Sequence, residues 1–515
     1  MTWQPEVDEL RRREELARRM GGPEKVERQH RAGRLTVRER IDQLLDPESF
    51  HEIGALSGVA EYGPDGELLS VTPSNTLLGR GRIDGRPVAI EADDFTVRGG
   101  AADAAIHDKQ VAAEQLAREY RMPLIRLVEG TGGGGSVKTL AESGYTYLPF
   151  LPGWDHVVAN LSTVPVVALG LGPVAGLGAA RMVASHYSVM IEGQSQLFVA
   201  GPPVVEAAGE RLSKEELGGS RIHTRNGAVD DEVGSEAEAF AACRRFLSYL
   251  PSSVHELPPR VEPEDDPGRR EEWLIDAVPR DRRRVYKMRP ILEALIDRDS
   301  LFEIGRYQGP SIITALGRLD GWPVAIVASE PFALGGLWTA AASDKLLRFV
   351  DLAETFHLPV VHLVDNPGFL VGSRAEAEGT IRHGVRALAA IYQATVPWCT
   401  VVIRKAFGVA GAGHGNHTRY RYRFAWPSAD WGSLPLEGGI QAAYKAELEA
   451  SPDPEARVAE IMAELDRIRS PFRTAERFLV EEIIDPRDTR RMLTEFANLA
   501  APLRQVGPPS FGTRP

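Results

Sequence analysis

A pair of duplicated α/β domains, each built on a buried and largely parallel sheet, is predicted by three observations. Long phrases of one half of the chain return in the other, short apolar runs alternate with helical periods, and 515 residues exceed what one ordinary core accommodates. The segment GRIDGRPVAIEADDFTVRGG at 81–100 recurs as GRLDGWPVAIVASEPFALGG at 317–336, displaced by 236 residues. That spacing is far outside a solenoid repeat and suits duplicated domains. LLDPESFHEIG at 44–54 likewise answers LIDRDSLFEIG at 295–305, and MPLIRLVEG at 122–130 answers LPVVHLVDN at 358–366. STVPVVALGLGPVAG at 162–176 pairs with ATVPWCTVVIRKAFG at 394–408, displaced by 232.

Within each half the elements follow in the same order. PVAIEA and PVAIVA read as short buried strands that end near Gly-rich turns. HDKQVAAEQLAREY and SDKLLRFVDLAETF then carry helical periods, before PLIRLVE and PVVHLVD return to strand character. The expected division is an N-terminal domain over 1–260, with a polar helical arm at 5–43, and a C-terminal domain over 261–515. The Pro- and charge-rich stretch around 251–283 is the expected linker.

Composition excludes several function classes. Seventy-two acidic residues against 60 basic ones give a net charge of -12, and no sustained basic tract appears, so nucleic acid is not an expected partner. Cys243 and Cys399 fall in different domains, which rules out a disulfide framework and points to a reducing cytoplasm. The N-terminus is charged and lacks the apolar core of a secretory signal. The conspicuously uncharged, apolar stretch VPVVALGLGPVAGLGAA at 164–180 is shorter than the roughly 20 apolar residues of a membrane span and carries Pro and Gly. It reads as a buried strand and a close-packed turn, with no membrane insertion expected.

DDFTVRGG at 93–100, GPVAGLGAA at 172–180, QLFVAGPPVVEAAGE at 196–210 and EELGGSRIHTRNGAVD at 215–230 stand in fixed order. ASDKLLRFV at 342–350, VDNPGFLVGSRAEAEGTIRHG at 364–384 and RKAFG at 404–408 follow them. In this order the chain resembles the carboxyltransferase (beta) subunits of biotin-dependent propionyl-CoA, acetyl-CoA and methylcrotonyl-CoA carboxylases, over nearly its whole length. The resemblance implies a crotonase-like (ClpP/crotonase superfamily) domain in each half. It also implies a homohexamer, a trimer of dimers, in which the N-domain of one subunit holds acyl-CoA and the C-domain of another receives biotin.

Thioester enolisation places negative charge on oxygen, which aimed backbone N–H groups stabilise. The resemblance implies one such oxyanion site per domain: Gly176 and Leu177 in GPVAGLG, with Gly172, Ala175 and Gly178 shaping the turn, and Gly408, Val409 and Ala410 in AFGVAG. Gly176 and Gly408 also correspond through the internal repeat. Gly132, Gly133, Gly134 and Gly135 of GTGGGGS, together with Ala175, Gly176, Gly368, Phe369 and Ala412, are the expected cofactor- and substrate-binding positions. GTGGGGS lacks the terminal GK[ST] of a nucleotide P-loop, and no GxSxG nucleophile context occurs. His107, Asp108 and Lys109 read as a helix cap or salt-bridged surface. His414 and His417 read as solvent or ligand contacts, and no metal site is expected.

The implied function is transfer of a carboxyl group from carboxybiotin to the alpha, or vinylogous gamma, carbon of an acyl-CoA. Neither an ATP-grasp module nor a Met-Lys-Met biotinylation context is found. Biotin is therefore expected on a partner, namely a biotin carboxylase and biotin carboxyl carrier protein or a fused alpha subunit. Two alternatives remain: a biotin-dependent acyl-CoA decarboxylase subunit and a non-catalytic assembly paralogue. Three departures from the family's usual pattern leave the acyl group open. They are GTGGGGS in place of SGGAR, Ala412 where propionyl-type relatives carry an acidic residue, and WGSLPLEGGIQAAY at 431–444.

Overall fold

The structure, a computed structural model, describes residues 2–101, 104, 106–130, 132, 140–141, 144–146, 148–509 and 513–515. The chain forms two compact units, the first running to Glu256 and the second beginning at Leu257. In the first, β1 (His51–Ile53), β2 (Gly58–Tyr62), β3 (Leu68–Pro73), β4 (Thr76–Ile83) and β5 (Arg86–Asp93) are followed by β6 (Leu124–Gly130) and β7 (Val166–Ala175). The set closes with β8 (Tyr187–Ile191), β9 (Gln196–Phe198) and β10 (Asp231–Val233). The main sheet has the order β1-β4-β5-β6-β7-β8-β10, with β9 beside β7, while β2 and β3 pair separately.

The second unit repeats this plan. β11 (Phe302–Ile304), β12 (Ile312–Leu319), β13 (Trp322–Ser329), β14 (Val360–Asn366) and β15 (Trp398–Phe407) lead to β16 (Tyr422–Ala425), β17 (Asp430–Gly432) and β18 (Glu482–Ile483). Their order is β11-β12-β13-β14-β15-β16-β18, with β17 beside β15. In both sheets the first three strands are antiparallel and the rest parallel.

The duplicated phrases have duplicated physical causes. Asp84-Gly85 and Asp320-Gly321, all at positive φ, form the two-residue turns of the β4–β5 and β12–β13 hairpins. The helices His107–Glu119 and Ala340–Thr355 each bury a lysine: Lys109 Nζ donates to the Gly54 carbonyl and Lys345 Nζ to the Gly305 carbonyl, both at 3.2 Å. Lys109 thus stands inside the fold rather than on a salt-bridged surface. The stretch from 257 to 283 does not behave as a free tether. Leu274 is buried in the second unit's core, Arg269 donates to the Ile296 carbonyl, and Asp266 accepts from Arg490 through its backbone oxygen.

Each central parallel strand ends on a buried carboxylate with an arginine partner. Glu129, at the end of β6, accepts from Arg40 at 2.5 Å and Arg34 at 2.7 Å; Arg40 comes from the helix Val37–Leu44 and also binds Glu236. Asp365, at the end of β14, accepts from Arg404 and Tyr286 at 2.9 Å and from the Lys405 N–H at 3.0 Å. Beside these carboxylates the turns Arg98–Gly100 and Leu334–Gly336 press onto the strand ends. A Cβ on Gly100 would stand 2.3 Å from the backbone carbonyl oxygen of Glu129, and one on Gly336 2.3 Å from that of Asp365.

The Leu334–Gly336 turn supplies its own control. Gly335 and Gly336 both have positive φ, but a Cβ on Gly335 meets nothing within 4 Å. Gly335→Ala is expected to cost about 1–2 kcal/mol from left-handed backbone alone, and Gly336→Ala about 2–4 kcal/mol once the clash is added. Urea denaturation of the two variants measures the difference; equal losses would mean that the strand end yields to the intruding methyl.

Candidate functional site

At the C-terminal end of β7 the chain turns through Gly176, with φ 62° and ψ -126°, directly into the helix Leu177–Val183. Only glycine adopts that conformation without strain. Gly132, also at positive φ, packs against this turn, and a Cβ there would lie 3.0 Å from the Ala175 oxygen. Ala175, Leu177, Gly178, Gly130 and Gly132 form one side of a cleft of about 900 Å³, a volume that includes its open mouth. The Gly176 N–H donates to the Phe198 carbonyl at 3.3 Å, while Leu177, at the first helical position, has no acceptor one turn earlier. Of the two predicted N-domain oxyanion donors, Leu177 therefore has its N–H available to a ligand. Gly176 supplies the backbone conformation.

The second unit builds the equivalent turn at the end of β15. Gly408 has φ 61° and opens the helix Gly408–Ala412, whose first N–H groups again lack an intrahelical acceptor. Val409 is 58% exposed and Ala410 is buried. Gly368 has φ 129°, and its carbonyl accepts from the Trp338 N–H at 3.0 Å. Phe369 packs edge-on against the Trp338 ring at 5.9 Å. Ala412 is exposed and its carbonyl lies 3.0 Å from His417 Nε2. Gly133, Gly134 and Gly135 lie outside the described residues.

Charged residues also line the first unit's cleft, Glu91, Asp93, Arg126 and Arg181 among them. Arg126 makes two bonds to Glu114 Oε1, at 3.0 and 2.7 Å, and one each to the Arg181 and Ala184 carbonyls. Arg181 binds Glu91 at 2.6 Å and Glu114 at 2.8 Å, and Asn160 donates to Glu114 at 2.7 Å. Burial would raise the Glu114 carboxyl, but Arg126 and Arg181 outweigh it and hold the group below the usual range. Glu91, with one guanidinium partner at closer range, is pushed up by burial. Asp93 accepts from the Glu129 N–H at 3.2 Å; burial, and then the neighbouring Glu91 charge, push it up to about 7.

These charges escaped the reading of the sequence, although a signal existed. Glu91 and Arg126 interrupt strands that are otherwise apolar, and PVAIVA in the repeat carries Val327 where PVAIEA carries Glu91. His107 also borders the cleft and packs edge-on against Phe150. His414 is buried, with Nδ1 2.7 Å from the Gly411 carbonyl, and desolvation lowers it to about 4. Among the described residues, no group of three or more His, Cys, Asp or Glu side chains is placed to hold a metal ion. No helix among them is long and apolar enough to cross a membrane.

A family model described as the carboxyl transferase domain matches residues 28–508. The chain is 33% identical over 497 residues to the propionyl-CoA carboxylase carboxyltransferase subunit of Haloferax mediterranei, covering 96% of this chain and 95% of that one. It is 31% identical over 499 residues to the methylmalonyl-CoA decarboxylase subunit alpha of Veillonella parvula, covering 96% of each. Among solved structures, the transcarboxylase 12S hexamer with methylmalonyl-coenzyme A and methylmalonic acid bound matches with a TM-score of 0.88. The identity there is 31%, over 99% of this chain and 97% of that one. The mixed α/β fold with two similar sheets is shared with that protein.

Asp93 makes the stability of the first unit depend on pH. Its carboxyl ionises near 7 when folded and near about 4 when unfolded, so between those values the folded state holds the extra proton. Its contribution therefore weakens as pH rises through that window. Asp93→Asn is expected to gain stability relative to the wild type from pH 4 to pH 8, levelling off above. Urea midpoints across this range test it; a constant difference would show that folding leaves the Asp93 carboxyl unshifted.

Proposed function

Because the chain belongs to the carboxyl transferase domain family, we propose that it moves a carboxyl group between biotin on a carrier partner and the α-carbon, or vinylogous γ-carbon, of an acyl-CoA. The observation that carries this reading is the pair of matching glycine turns, Gly176 and Gly408, each opening a helix at the end of a central parallel strand. The first turn borders a cleft, and we assign acyl-CoA to the first unit on that ground. The second turn suits a ring that arrives from solvent and leaves again. Val409 is exposed, and even a Cβ on Gly408 would meet only the Ser433 oxygen, at 3.4 Å.

In this scheme the Leu177 N–H faces the thioester oxygen, with Gly178 beside it, and gains strength as that oxygen becomes an enolate. Gly408, Val409 and Ala410 present backbone N–H groups to the ureido oxygen of biotin. When bound, biotin supplies the carboxyl group and the base that the substrate carbon requires. The protein's contribution is thus orientation and oxyanion stabilisation by peptide groups, which explains why its central positions are glycines and small residues rather than a side-chain nucleophile.

The partners in this reading are a biotin carboxylase and a biotin carboxyl carrier protein, or both fused in an alpha subunit. The assembly is a homohexamer, and the compartment is the cytoplasm. Cys243 and Cys399, buried as free thiols, accord with a reducing compartment. The Veillonella parvula relative favours a second reading, decarboxylation of an acyl-CoA with biotin as acceptor. Incubation with carboxylated carrier and acyl-CoAs, and separately with unloaded carrier and malonyl-type thioesters, decides the direction.

The assignment of Leu177 has a specific test. Proline is tolerated at the first helical position, where it removes only an N–H that the helix does not use. Leu177→Pro is expected to lower kcat by about 10²–10³-fold, the loss typical of one oxyanion donor, with acyl-CoA affinity nearly unchanged. Wild-type turnover in the folded variant would remove Leu177 from the oxyanion site.

A further inference from the structure

The helix Leu177–Val183 opens on the cleft through Leu177 and Gly178, and its far end is held by side chains. Arg126, on β6, donates through Nη1 to the Arg181 and Ala184 carbonyls, both at 2.8 Å, and Ser185 Oγ donates to the Met182 carbonyl at 2.8 Å. Carbonyls at a helix C-terminus have no partner within the helix, and a cation placed there also meets the negative end of the helix dipole. Arg126 is itself fixed. Its Nε and Nη2 both donate to Glu114 Oε1, at 3.0 and 2.7 Å, and Asn160 donates to Glu114 Oε2 at 2.7 Å. Arg126, Glu114 and Asn160 are all buried.

The duplicate shows which part of this arrangement is retained. Arg126 and His362 are each the third residue of their strands, β6 and β14, and stand opposite Glu91 and Val327 in the matching register. His362 is hydrogen-bonded to the backbone of His414, just beyond the helix Gly408–Ala412 that follows the second glycine turn. By the displacement of 232 between the turns, His414 corresponds to Met182. The ion pair is not retained, because Glu114 corresponds to Val350 by the displacement of 236. Replacing a buried ion network by apolar residues is often neutral or stabilising, so the fold does not require these charges. What both units keep is a strand side chain that grips the backbone at the end of the helix.

We propose that Arg126 is a positioning residue for carboxyl transfer: by holding the C-terminal end of the helix Leu177–Val183, it fixes the direction of the Leu177 N–H at the other end. The proposal rests on the reading that this N–H stabilises the thioester oxygen. A helix of this length spans about 10 Å, and its hydrogen bonds make it move as one body. The chain enters it through Gly176, the residue type that restrains backbone direction least, so the grip at the exit supplies the restraint. An oxyanion donor is effective when its direction is set before the charge develops, and a displacement of about 1 Å caused far from the chemistry costs up to about 10²-fold.

Arg126→Met combined with Glu114→Gln removes the grip and keeps the charge balance, since the Glu91–Arg181 pair remains. With carboxyl transfer measured in the direction the wild type supports, kcat and kcat/KM are expected to fall together by about 10–100-fold while KM holds, the pattern of an interaction made only in the transition state. Arg86 supplies the control. It donates to the Leu247 and Leu250 carbonyls, at 2.6 and 2.7 Å, at the end of the helix Glu236–Ser248, none of whose residues lines the cleft. Arg86→Met is expected to lower the urea midpoint and keep the wild-type kcat. Equal losses of kcat in the two variants would reduce Arg126 to a structural cap and overturn the proposal, as would wild-type kcat in the double variant; the Leu177→Pro variant then decides the oxyanion reading by itself. If the double variant does not fold, Arg126→Lys takes its place. A point charge does not reproduce the guanidinium fork, so kcat is expected to fall about threefold to tenfold at constant KM, and an unchanged kcat overturns the proposal. No transfer by the wild type, with a verified loaded carrier, overturns the reaction and the proposal together.

Discussion

Gly100 lies so close to the end of β6 that a Cβ would stand 2.3 Å from the backbone carbonyl oxygen of Glu129, and Gly336 stands in the same relation to Asp365 at the end of β14. Everything else about the two glycine-lined turns follows from this approach of backbone to backbone. It fixes where the central strand stops, and it requires positive φ in the turn that follows β5 or β13. In the first unit a further close approach, Gly132 against Ala175, carries the constraint from β6 to the Gly176 turn. A cleft floored by peptide groups is the result, and such a floor can present N–H donors where side chains would only obstruct.

The carboxylates behind these turns show how a duplicated fold diverges while preserving one requirement. Both strand ends need a fixed anchor, and both use a buried carboxylate paired with an arginine. Arg40 reaches Glu129 from a helix of the N-terminal arm, whereas Arg404 reaches Asp365 from the adjacent strand with help from Tyr286. A charge in such a place is tolerable only when its lone pairs are filled. The arm therefore belongs to the architecture of the first unit, and the stretch after Leu257 belongs to that of the second.

Divergence is greatest where the two units would meet different molecules. The first lines its cleft with charged side chains, and the second keeps an exposed turn that carries Val409. An exposed turn suits a carried group that must come and go. The asymmetry is what a transfer between two substrates demands of a duplicated scaffold.

The sequence by itself determined the duplication and the alternation of strands and helices along each half. Those features are local: strand and helix periods repeat within a few residues, and glycine marks positive φ wherever it is required. Gly176 and Gly408 were reached through the family resemblance and their correspondence in the repeat, and the α/β alternation around them through local periods. Only the tertiary structure decided that Gly176 commits its N–H to Phe198 and that Lys109 is buried against Gly54. It alone brought Glu91, Glu114, Arg126 and Arg181, spread over 90 positions, into one network. A charged residue in isolation reads as solvated surface; its partner is chosen by parallel strand pairing and helix packing across long separations, which no local pattern encodes.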